Sequence, residues 1–378
     1  MPIAHRSDTT PAARPVTIRP TRRGVLRAGL GAAAGLAGAD ALLPAFARAG
    51  GAPPVVGANT GRPHPQMQAV LDQFAALHPL PLPTLTPAQA RQQSSTTDAL
   101  QGVQAARGLA PAVEPVGRID HIRIPGPGGL ILARVYTPIG TGPFPVTVYC
   151  HGGGWVIANL DTYDPSCRAL CNAAGSIIVS VAYRQAPEHT FPAAPEDAYA
   201  ALRYVQTNAT TIGGDPRRVA IAGESAGGNL AAVTCLIARD RGTPQPLYQV
   251  LVYPITNYNF NTPSYLEQAM AMPLDRPSMM WFFKYYLRTP ADGANPYVSP
   301  LRALSLRGLP AATVITDQFD PLRSEGEAYA ARLRAAGVAV RATRYNGVTH
   351  EFFTMSAVVD EAKQAVAEAA TGLLSAFR

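Results

Sequence analysis

Four continuous apolar runs, separated by segments of helical periodicity, constrain the fold of this chain most. The runs are Val146-Thr-Val-Tyr, Ile177-Ile-Val-Ser-Val, Val219-Ala-Ile-Ala and Val250-Leu-Val. Strands that are apolar throughout are typical of a parallel sheet buried on both faces, because crossover helices cover each face. The helical segments between and after these runs include 193–208, 227–239 and 324–336. The sequence therefore predicts an α/β fold with helices on both faces of the sheet.

The full set of β-rich segments predicts eight strands. They cover 119–124, 130–136, 146–150, 176–182, 219–223, 248–253, 311–316 and 338–345. The sheet should be mainly parallel, with antiparallel strands at its start, where no helix separates the segments. We place a helical arm at 50–115 and the main domain at 116–378. An aromatic, Met-rich insertion near 257–288 is either a core helix or part of a cap over a binding site.

The first 49 residues are typical of an export signal. Thr21-Arg22-Arg23-Gly24-Val25-Leu26-Arg27 precedes an uncharged Gly/Ala-rich stretch, and Ala47-Arg48-Ala49 offers a cleavage site. This order resembles a twin-arginine signal. It predicts a periplasmic or secreted protein with no stable membrane anchor after cleavage, since about 20 apolar residues are needed to span a bilayer. The alternative is a disordered basic terminus.

Composition excludes several classes of partner and site. The formal net charge of +7 falls to +2 once residues 1–49 are removed, so no nucleic-acid partner is expected. The two lysines, Lys284 and Lys363, do not form a phosphate-binding G-K-[ST] loop. The four cysteines lie in apolar strands or at helical spacing, which favours buried thiols over disulfides.

The segment Gly223-Glu-Ser-Ala-Gly227 lies between a predicted strand and a predicted helix. A G-x-S-x-G sequence in this context is typical of a sharp turn that exposes a nucleophilic serine, here Ser225. Gly223 and Gly227 should be glycines because the strained turn leaves no room for side chains beside the serine.

A hydroxyl nucleophile needs a base and an acid that orients the base. Of the seven histidines, His350 follows the last predicted strand and should lie at the same sheet edge as Ser225. Asp317 or Asp320 could orient it, and we choose Asp320, which lies farther past the strand end before Pro321. No second histidine follows His350-Glu351 at zinc-ligand spacing, so no metal is predicted.

His151-Gly152-Gly153-Gly154-Trp155 supplies the remaining catalytic element. It is either a plain strand-to-helix loop or a segment whose bare N–H groups bind a developing oxyanion. The order Ser, Asp, His along the chain favours the second interpretation. Gly153, Gly154 and Ala226 are the predicted oxyanion donors, with His151 and Gly152 in support. Residues expected to line the substrate pocket are Trp155, Tyr183, Glu224 and Phe352.

Together these motifs resemble the hormone-sensitive-lipase branch of the α/β hydrolases. The resemblance covers about residue 65 to the end and includes HGGGW, GESAGG, "DPLRSEGEAYAARLRAAG" and "YNGVTHEF". It implies an α/β-hydrolase fold with a helical cap and cofactor-free hydrolysis of carboxylic esters, usually of short acyl chains. The chain departs from the family at Gln185, Ser324 and Glu351, where a leucine, a second acid and a glycine are common.

The predicted function is therefore that of a serine carboxylesterase acting on small esters of short to medium acyl length. Hydrolysis of amides or formamides, or deacetylation, on the same three residues is the alternative within enzymes. A ligand receptor that has lost its chemistry is the alternative outside them, although such a receptor normally lacks one of the three residues. A homo-oligomer is possible.

Overall fold

The computed structural model describes residues 52–59, 61–109 and 113–378, and all of these lie in one compact unit. The predicted export signal at 1–49 lies outside the described residues. Within them, no helix is long and apolar enough to cross a bilayer.

One sheet contains nine strands in this part of the chain. Their bounds are β1 (Val55–Val56), β2 (Arg118–Gly126), β3 (Gly129–Thr137), β4 (Phe144–Cys150), β5 (Ile177–Val181), β6 (Gly214–Glu224), β7 (Tyr248–Val252), β8 (Ala311–Phe319) and β9 (Val340–Thr349). Their spatial order is β1-β9-β8-β7-β6-β4-β5-β3-β2. Strand β3 pairs antiparallel with both β2 and β5, and the other pairs are parallel.

Helices connect and cover these strands. The α-helices are α1 (Pro65–Ala76), α2 (Pro87–Ala90), α3 (Thr96–Ala106), α4 (Asp164–Ala174), α5 (Ala193–Asn208), α6 (Ala226–Asp240), α7 (Pro263–Glu267), α8 (Arg276–Tyr286), α9 (Arg323–Ala335) and α10 (Asp360–Ala376). Short 3₁₀ helices occupy Leu82–Thr84, Ala209–Ile212, Pro290–Ala294, Pro300–Arg302 and Phe352–Met355.

The predicted α/β fold and its eight strands are confirmed, and the structure adds β1 as a ninth. The two residues of β1 pair with Arg344 and Tyr345 of β9. Strands β8 and β9 also extend several residues past their predicted ends. Polar residues made these ends resemble loops, but the Gln318 side chain accepts a hydrogen bond from Gly347 N at 2.9 Å and keeps the strands together.

The apolar core forms two layers, one on each face of the sheet. Side chains alternate between them along a strand, so that Ile221 lies in one layer and Ala222 in the other. Helices α5, α6 and α9 contribute to the first layer, and α4 and α10 to the second. This double coverage explains why the central strands are apolar at every position.

The arm and the aromatic insertion are both packed against the main domain. Met67, Val70 and Phe74 of α1 are buried in the second layer. Trp281 of α8 donates a hydrogen bond from Nε1 to the backbone oxygen of Leu85 at 3.0 Å. The insertion and the arm are thus in direct contact, as a two-part cap would require.

Candidate active site

Strand β6 ends in a tight turn at Ser225. The backbone of Ser225 has φ 55° and ψ −118°, an unfavourable conformation for a residue with a side chain. A Cβ on Gly223 would lie 2.1 Å from the oxygen of Gly227, and a Cβ on Gly227 would lie 1.9 Å from the oxygen of Cys150. Both distances are far inside van der Waals contact, so the turn requires glycine on each side of the serine.

Three predicted residues from three loops lie in one hydrogen-bonded chain. His350 Nε2 is 2.9 Å from Ser225 Oγ, and His350 Nδ1 is 2.8 Å from Asp320 Oδ2. An ionised Asp320 can only accept, so Nδ1 carries the proton and Nε2 is free to accept from the serine hydroxyl. Asp320 is itself fixed because its Oδ1 accepts from Leu322 N at 2.8 Å.

The register of the sheet explains why residues so distant in sequence meet. Phe319 of β8 pairs with Thr349 of β9, so the next residues, Asp320 and His350, leave the sheet side by side. The Ser225 N–H donates to the oxygen of Val252, which ends β7, at 2.9 Å. The carboxyl ends of neighbouring parallel strands thus bring the three side chains to one edge.

Buried carboxylates make His350 a stronger base than an ordinary histidine. Burial alone would lower the pKa of His350, but the charges of Asp320, Glu351 and Glu224 outweigh it and raise the pKa above 6.5. The ring is 3% exposed, which keeps these interactions poorly screened. The imidazolium that forms when His350 takes a proton is therefore stabilised.

The glycine-rich loop follows β4 at the point where the sheet order reverses, since β4 lies between β5 and β6. Such a switch point is the usual place for a ligand crevice. Gly153 and Gly154 have φ of 93° and 57°, which favours glycine. The N–H of Ala226 lies in the first turn of α6, where it has no intrahelical acceptor.

Aromatic side chains hold this loop in place. Tyr183 stacks on the ring of His151 with centroids 4.4 Å apart, and its hydroxyl donates to the oxygen of His151 at 2.9 Å. Burial lowers the pKa of His151 to about 4, so the ring is neutral at neutral pH. A Cβ on Gly152 would lie 2.1 Å from the Tyr163 hydroxyl, and one on Gly154 would lie 2.1 Å from Phe282 of α8.

Two further carboxylates lie close to His350. Glu224, directly before the serine, is fully buried and accepts hydrogen bonds from the hydroxyls of Tyr149 and Tyr253. Burial and the nearby Glu351 raise the pKa of Glu224 to about 7. Glu351 accepts from the Tyr163 hydroxyl at 2.7 and 2.9 Å on its two oxygens, and burial raises its pKa.

Asp317, the alternative to Asp320 in the sequence analysis, lies beside Asp320. It is fully buried, and its carboxyl group lies next to that of Asp320. Burial and the charge of Asp320 raise the pKa of Asp317 well above its ordinary value. Asp317, Asp320 and His350 place potential metal-ligand atoms within 4.8 Å of one another. Because Asp320 and His350 already bind each other, we assign this cluster to the hydrogen-bonded chain.

The four residues expected to line the substrate pocket are all buried in the structure. Trp155 stacks on Tyr286 at 4.0 Å, and Phe352 packs edge-on against Tyr253 at 5.9 Å. Tyr183 and Glu224 make the hydrogen bonds described above. These contacts support the loop and the turn from behind, and a direct role of these residues in substrate binding stays a prediction.

The sequence did not point to the tyrosines that surround the site. Tyr149, Tyr163 and Tyr253 belong to no motif, and each reaches a carboxylate far away along the chain. A buried glutamate next to the serine was the one available signal, since a buried carboxylate needs hydrogen-bond donors.

Comparison with known proteins identifies the family of this chain. The profile of a family with the α/β-hydrolase fold matches residues 147–354, which is more than half of the chain. This chain belongs to the α/β hydrolases. The resemblance to their hormone-sensitive-lipase branch is confirmed.

Among the relatives of this α/β hydrolase is the carboxylic ester hydrolase LipN of Mycobacterium tuberculosis, 45% identical over 63% of this chain and 65% of the relative, just under two thirds of its length. The carboxylesterase NlhH of the same organism is 40% identical over 75% of this chain and 92% of the relative. A solved structure of an esterase from the archaeon Pyrobaculum calidifontis is 42% identical, with a TM-score of 0.76 over 83% of this chain and 98% of that one.

Proposed function

We propose that this protein is a serine carboxylesterase that hydrolyses small esters of short to medium acyl length. One observation carries the proposal, namely the continuous hydrogen-bonded chain from Ser225 through His350 to Asp320 at the carboxyl edge of the sheet. The relatives and the solved structure support the same reaction class, because their names are those of ester hydrolases.

In the first half of the reaction, Ser225 Oγ attacks the ester carbonyl carbon. His350 Nε2 takes the serine proton, and Asp320 stabilises the resulting imidazolium by accepting a hydrogen bond from Nδ1. The carbonyl oxygen becomes an oxyanion, and the N–H groups of Gly153, Gly154 and Ala226 are the proposed donors to it. The imidazolium then protonates the leaving alcohol, and an acyl-serine remains.

In the second half, a water molecule attacks the acyl-serine. His350 removes one of its protons and returns that proton to Ser225 Oγ as the carbon–oxygen bond breaks. The carboxylic acid leaves, and the starting state is restored. No cofactor takes part in this sequence, because the base, the nucleophile and the oxyanion donors all come from the chain.

A short- to medium-acyl preference is supported by two considerations. Phe282 of α8 packs against the glycine-rich loop, since a Cβ on Gly154 would lie 2.1 Å from its ring, and this bulky side chain limits the space beside the loop. One relative, 33% identical over 75% of this chain, is named an ethyl acetate hydrolase from Pseudomonas putida. A series of p-nitrophenyl esters from acetate to palmitate should show the highest kcat/KM below about eight carbons, and the highest value at palmitate would contradict the preference.

Replacing the nucleophile tests the assignment. Ser225→Ala should lower kcat for p-nitrophenyl butyrate by about 10⁶-fold, because residues that act as a unit lose nearly all catalysis together. Ser305→Ala, which alters an exposed serine outside the site, is the matched control. Most of the activity retained in Ser225→Ala would contradict the role of this serine, and equal turnover of matched anilides would favour an amidase.

We also propose that the enzyme is exported through the twin-arginine route. The support is the sequence of residues 1–49, with its paired Arg22 and Arg23, uncharged stretch and cleavage site. Replacing both arginines with lysine should leave the enzyme in the cytoplasm of its host. Unchanged export of that variant would contradict the proposal.

A further inference from the structure

A second carboxylate lies on the reactive side of the His350 ring. Glu351 Oε1 is 3.8 Å from Nε2, the nitrogen that exchanges a proton with Ser225. Asp320, in contrast, binds Nδ1 on the other side of the ring. Two carboxylates therefore flank one imidazole, and the mechanism above uses only one of them.

The position of Glu351 is fixed by its backbone and by Tyr163. Glu351 has φ 72°, in the left-handed region that favours glycine. Its two oxygens lie 2.7 and 2.9 Å from the Tyr163 hydroxyl, which donates to the carboxylate. A charged side chain that is held in an unfavourable backbone conformation is a reason to look for a function.

The carboxylate of Glu351 lies toward the glycine-rich loop of residues 151–155, which we call the oxyanion loop. The Tyr163 hydroxyl that binds it occupies the space where a Cβ of Gly152 would lie, at 2.1 Å. Gly152 directly precedes the two proposed oxyanion glycines. Glu351 is thus close both to the loop that faces the ester carbonyl and to the base that activates the attacking group.

This carboxylate can accept a further hydrogen bond. Its polar neighbours are the neutral Tyr163 hydroxyl, at hydrogen-bond distance, and the ring of His350, at 3.8 Å. A carboxylate offers about four lone-pair sites, and a single hydroxyl hydrogen does not occupy them all. The side chain is 15% exposed, so solvent water can reach it.

We propose that Glu351 is a catalytic residue that holds the water for deacylation. Two acceptors 3.8 Å apart can both lie about 2.8 Å from one water oxygen. One O–H of that water donates to His350 Nε2, which takes the proton as the oxygen bonds to the acyl carbon. The other O–H donates to Glu351 and stays on the oxygen, so it becomes part of the carboxylic acid product. The proton on Nε2 passes to Ser225 Oγ as the acyl bond breaks.

The arrangement selects water over other nucleophiles. Water has two O–H groups and can bind both acceptors at once, whereas an alcohol has one and can bind only His350 or Glu351. Glu351 should therefore favour hydrolysis of the acyl-serine over transfer of its acyl group to an alcohol. It should have less influence on acylation, in which the nucleophile is Ser225 itself and Glu351 acts only by helping to raise the pKa of His350.

The inference rests on the proposed esterase function, and the experiment separates the two. The wild-type enzyme, E351L and E351Q are compared with p-nitrophenyl butyrate by rapid mixing, with and without methanol. Leucine removes the acceptor, while glutamine keeps a neutral one. The control is E368Q, because Glu368 also accepts from a tyrosine, Tyr345, at 2.8 Å but belongs to α10 and does not contact His350.

In E351L, deacylation should slow by about 10- to 100-fold, the effect of losing a hydrogen bond to a charged acceptor. A burst of p-nitrophenol equal to the enzyme concentration should appear, and the ratio of methyl butyrate to butyrate should rise at least fivefold. E351Q should change in the same direction by less, and E368Q should match the wild type.

The inference is wrong if acylation and deacylation slow equally in E351L, or if the ratio of products does not change. A fluorophosphonate that labels Ser225 counts correctly folded sites in each variant, and E351Q serves alone if E351L does not fold. Failure of the wild-type enzyme to release p-nitrophenol at all would instead overturn the esterase function and, with it, this role of Glu351.

Discussion

Gly152→Ala tests how closely the oxyanion loop is packed. Gly152, unlike Gly153 and Gly154, does not have a positive φ, so alanine suits its backbone and space is the only obstacle. The new Cβ would lie 2.1 Å from the Tyr163 hydroxyl oxygen, 2.9 Å from Cζ of the same ring and 3.2 Å from the backbone oxygen of Glu224.

The nearest of these contacts is more than 1 Å shorter than an ordinary carbon–oxygen contact. The loop or the Tyr163 ring must therefore move by about 1 Å. In a packed core such a change costs about 1–3 kcal/mol of the free energy of unfolding. A shift of about 1 Å in the proposed oxyanion donors should lower kcat/KM by about 10²-fold.

Tyr163→Phe supplies the second half of the test. Alone it costs about 1–3 kcal/mol, because the buried Glu351 carboxylate loses its hydroxyl donor. Combined with Gly152→Ala, it removes the 2.1 Å contact and leaves the 2.9 Å contact with Cζ. The double variant should therefore be about 1 kcal/mol more stable than the sum of the two single losses predicts.

The assay is a double-mutant cycle on four proteins: the wild type, the two single variants and the double variant. Urea unfolding gives the free energy of unfolding of each, and p-nitrophenyl butyrate gives kcat/KM. Strictly additive losses in stability would refute the steric reasoning. So would a Gly152→Ala variant with wild-type stability and activity.

Three further outcomes are expected. Because carboxylates raise the pKa of His350, the acidic limb of kcat/KM against pH should have its midpoint above 6.5, and a lower midpoint would contradict this electrostatic account. Folding raises the pKa of Asp317 above the value of about 3.8 that it has in the unfolded chain. The protonated carboxyl group therefore contributes stability that is fully present below pH 3.8 and is lost as the pH rises toward the folded-state pKa. In thermal unfolding, the stability of Asp317→Asn minus that of the wild type should therefore increase from pH 5 to pH 8. A difference that stays constant over this range would contradict the account. The four cysteines are free and buried, and burial raises their pKa values. A thiol reagent should label them only after unfolding, and rapid labelling of the native enzyme would show that they are accessible.

The central fold was predictable because each of its signals is local. Continuous apolar runs marked the buried strands, and helical periodicity marked α5 with both of its ends correct. Parallel strands end at one edge of a sheet, so locating Ser225 and His350 at strand ends was enough to predict that they would meet. The choice between Asp317 and Asp320 was harder, because both lie at the end of β8. The residue that contacts His350 Nδ1 is the one just past the strand.

Features that depend on pairing between distant segments were not predictable in this way. Strand β1 has only two residues, and it exists because Arg344 and Tyr345 are available to pair with them. Tyr163 and Glu351 are 188 residues apart, and no pattern in either segment indicates the hydrogen bond between them. The burial of Asp317 beside Asp320 is likewise a product of tertiary packing rather than of local preference.

The contact between the arm and β9 has a consequence during synthesis of the chain. Met67 Sδ accepts a hydrogen bond from Thr349 Oγ1 at 3.6 Å, beside His350, so this contact of the arm cannot form until a segment 282 residues later has been synthesised. A nascent chain that stops before residue 350 has its serine turn but no base. The enzyme should therefore stay inert during translation until the segment that carries His350 has emerged from the ribosome.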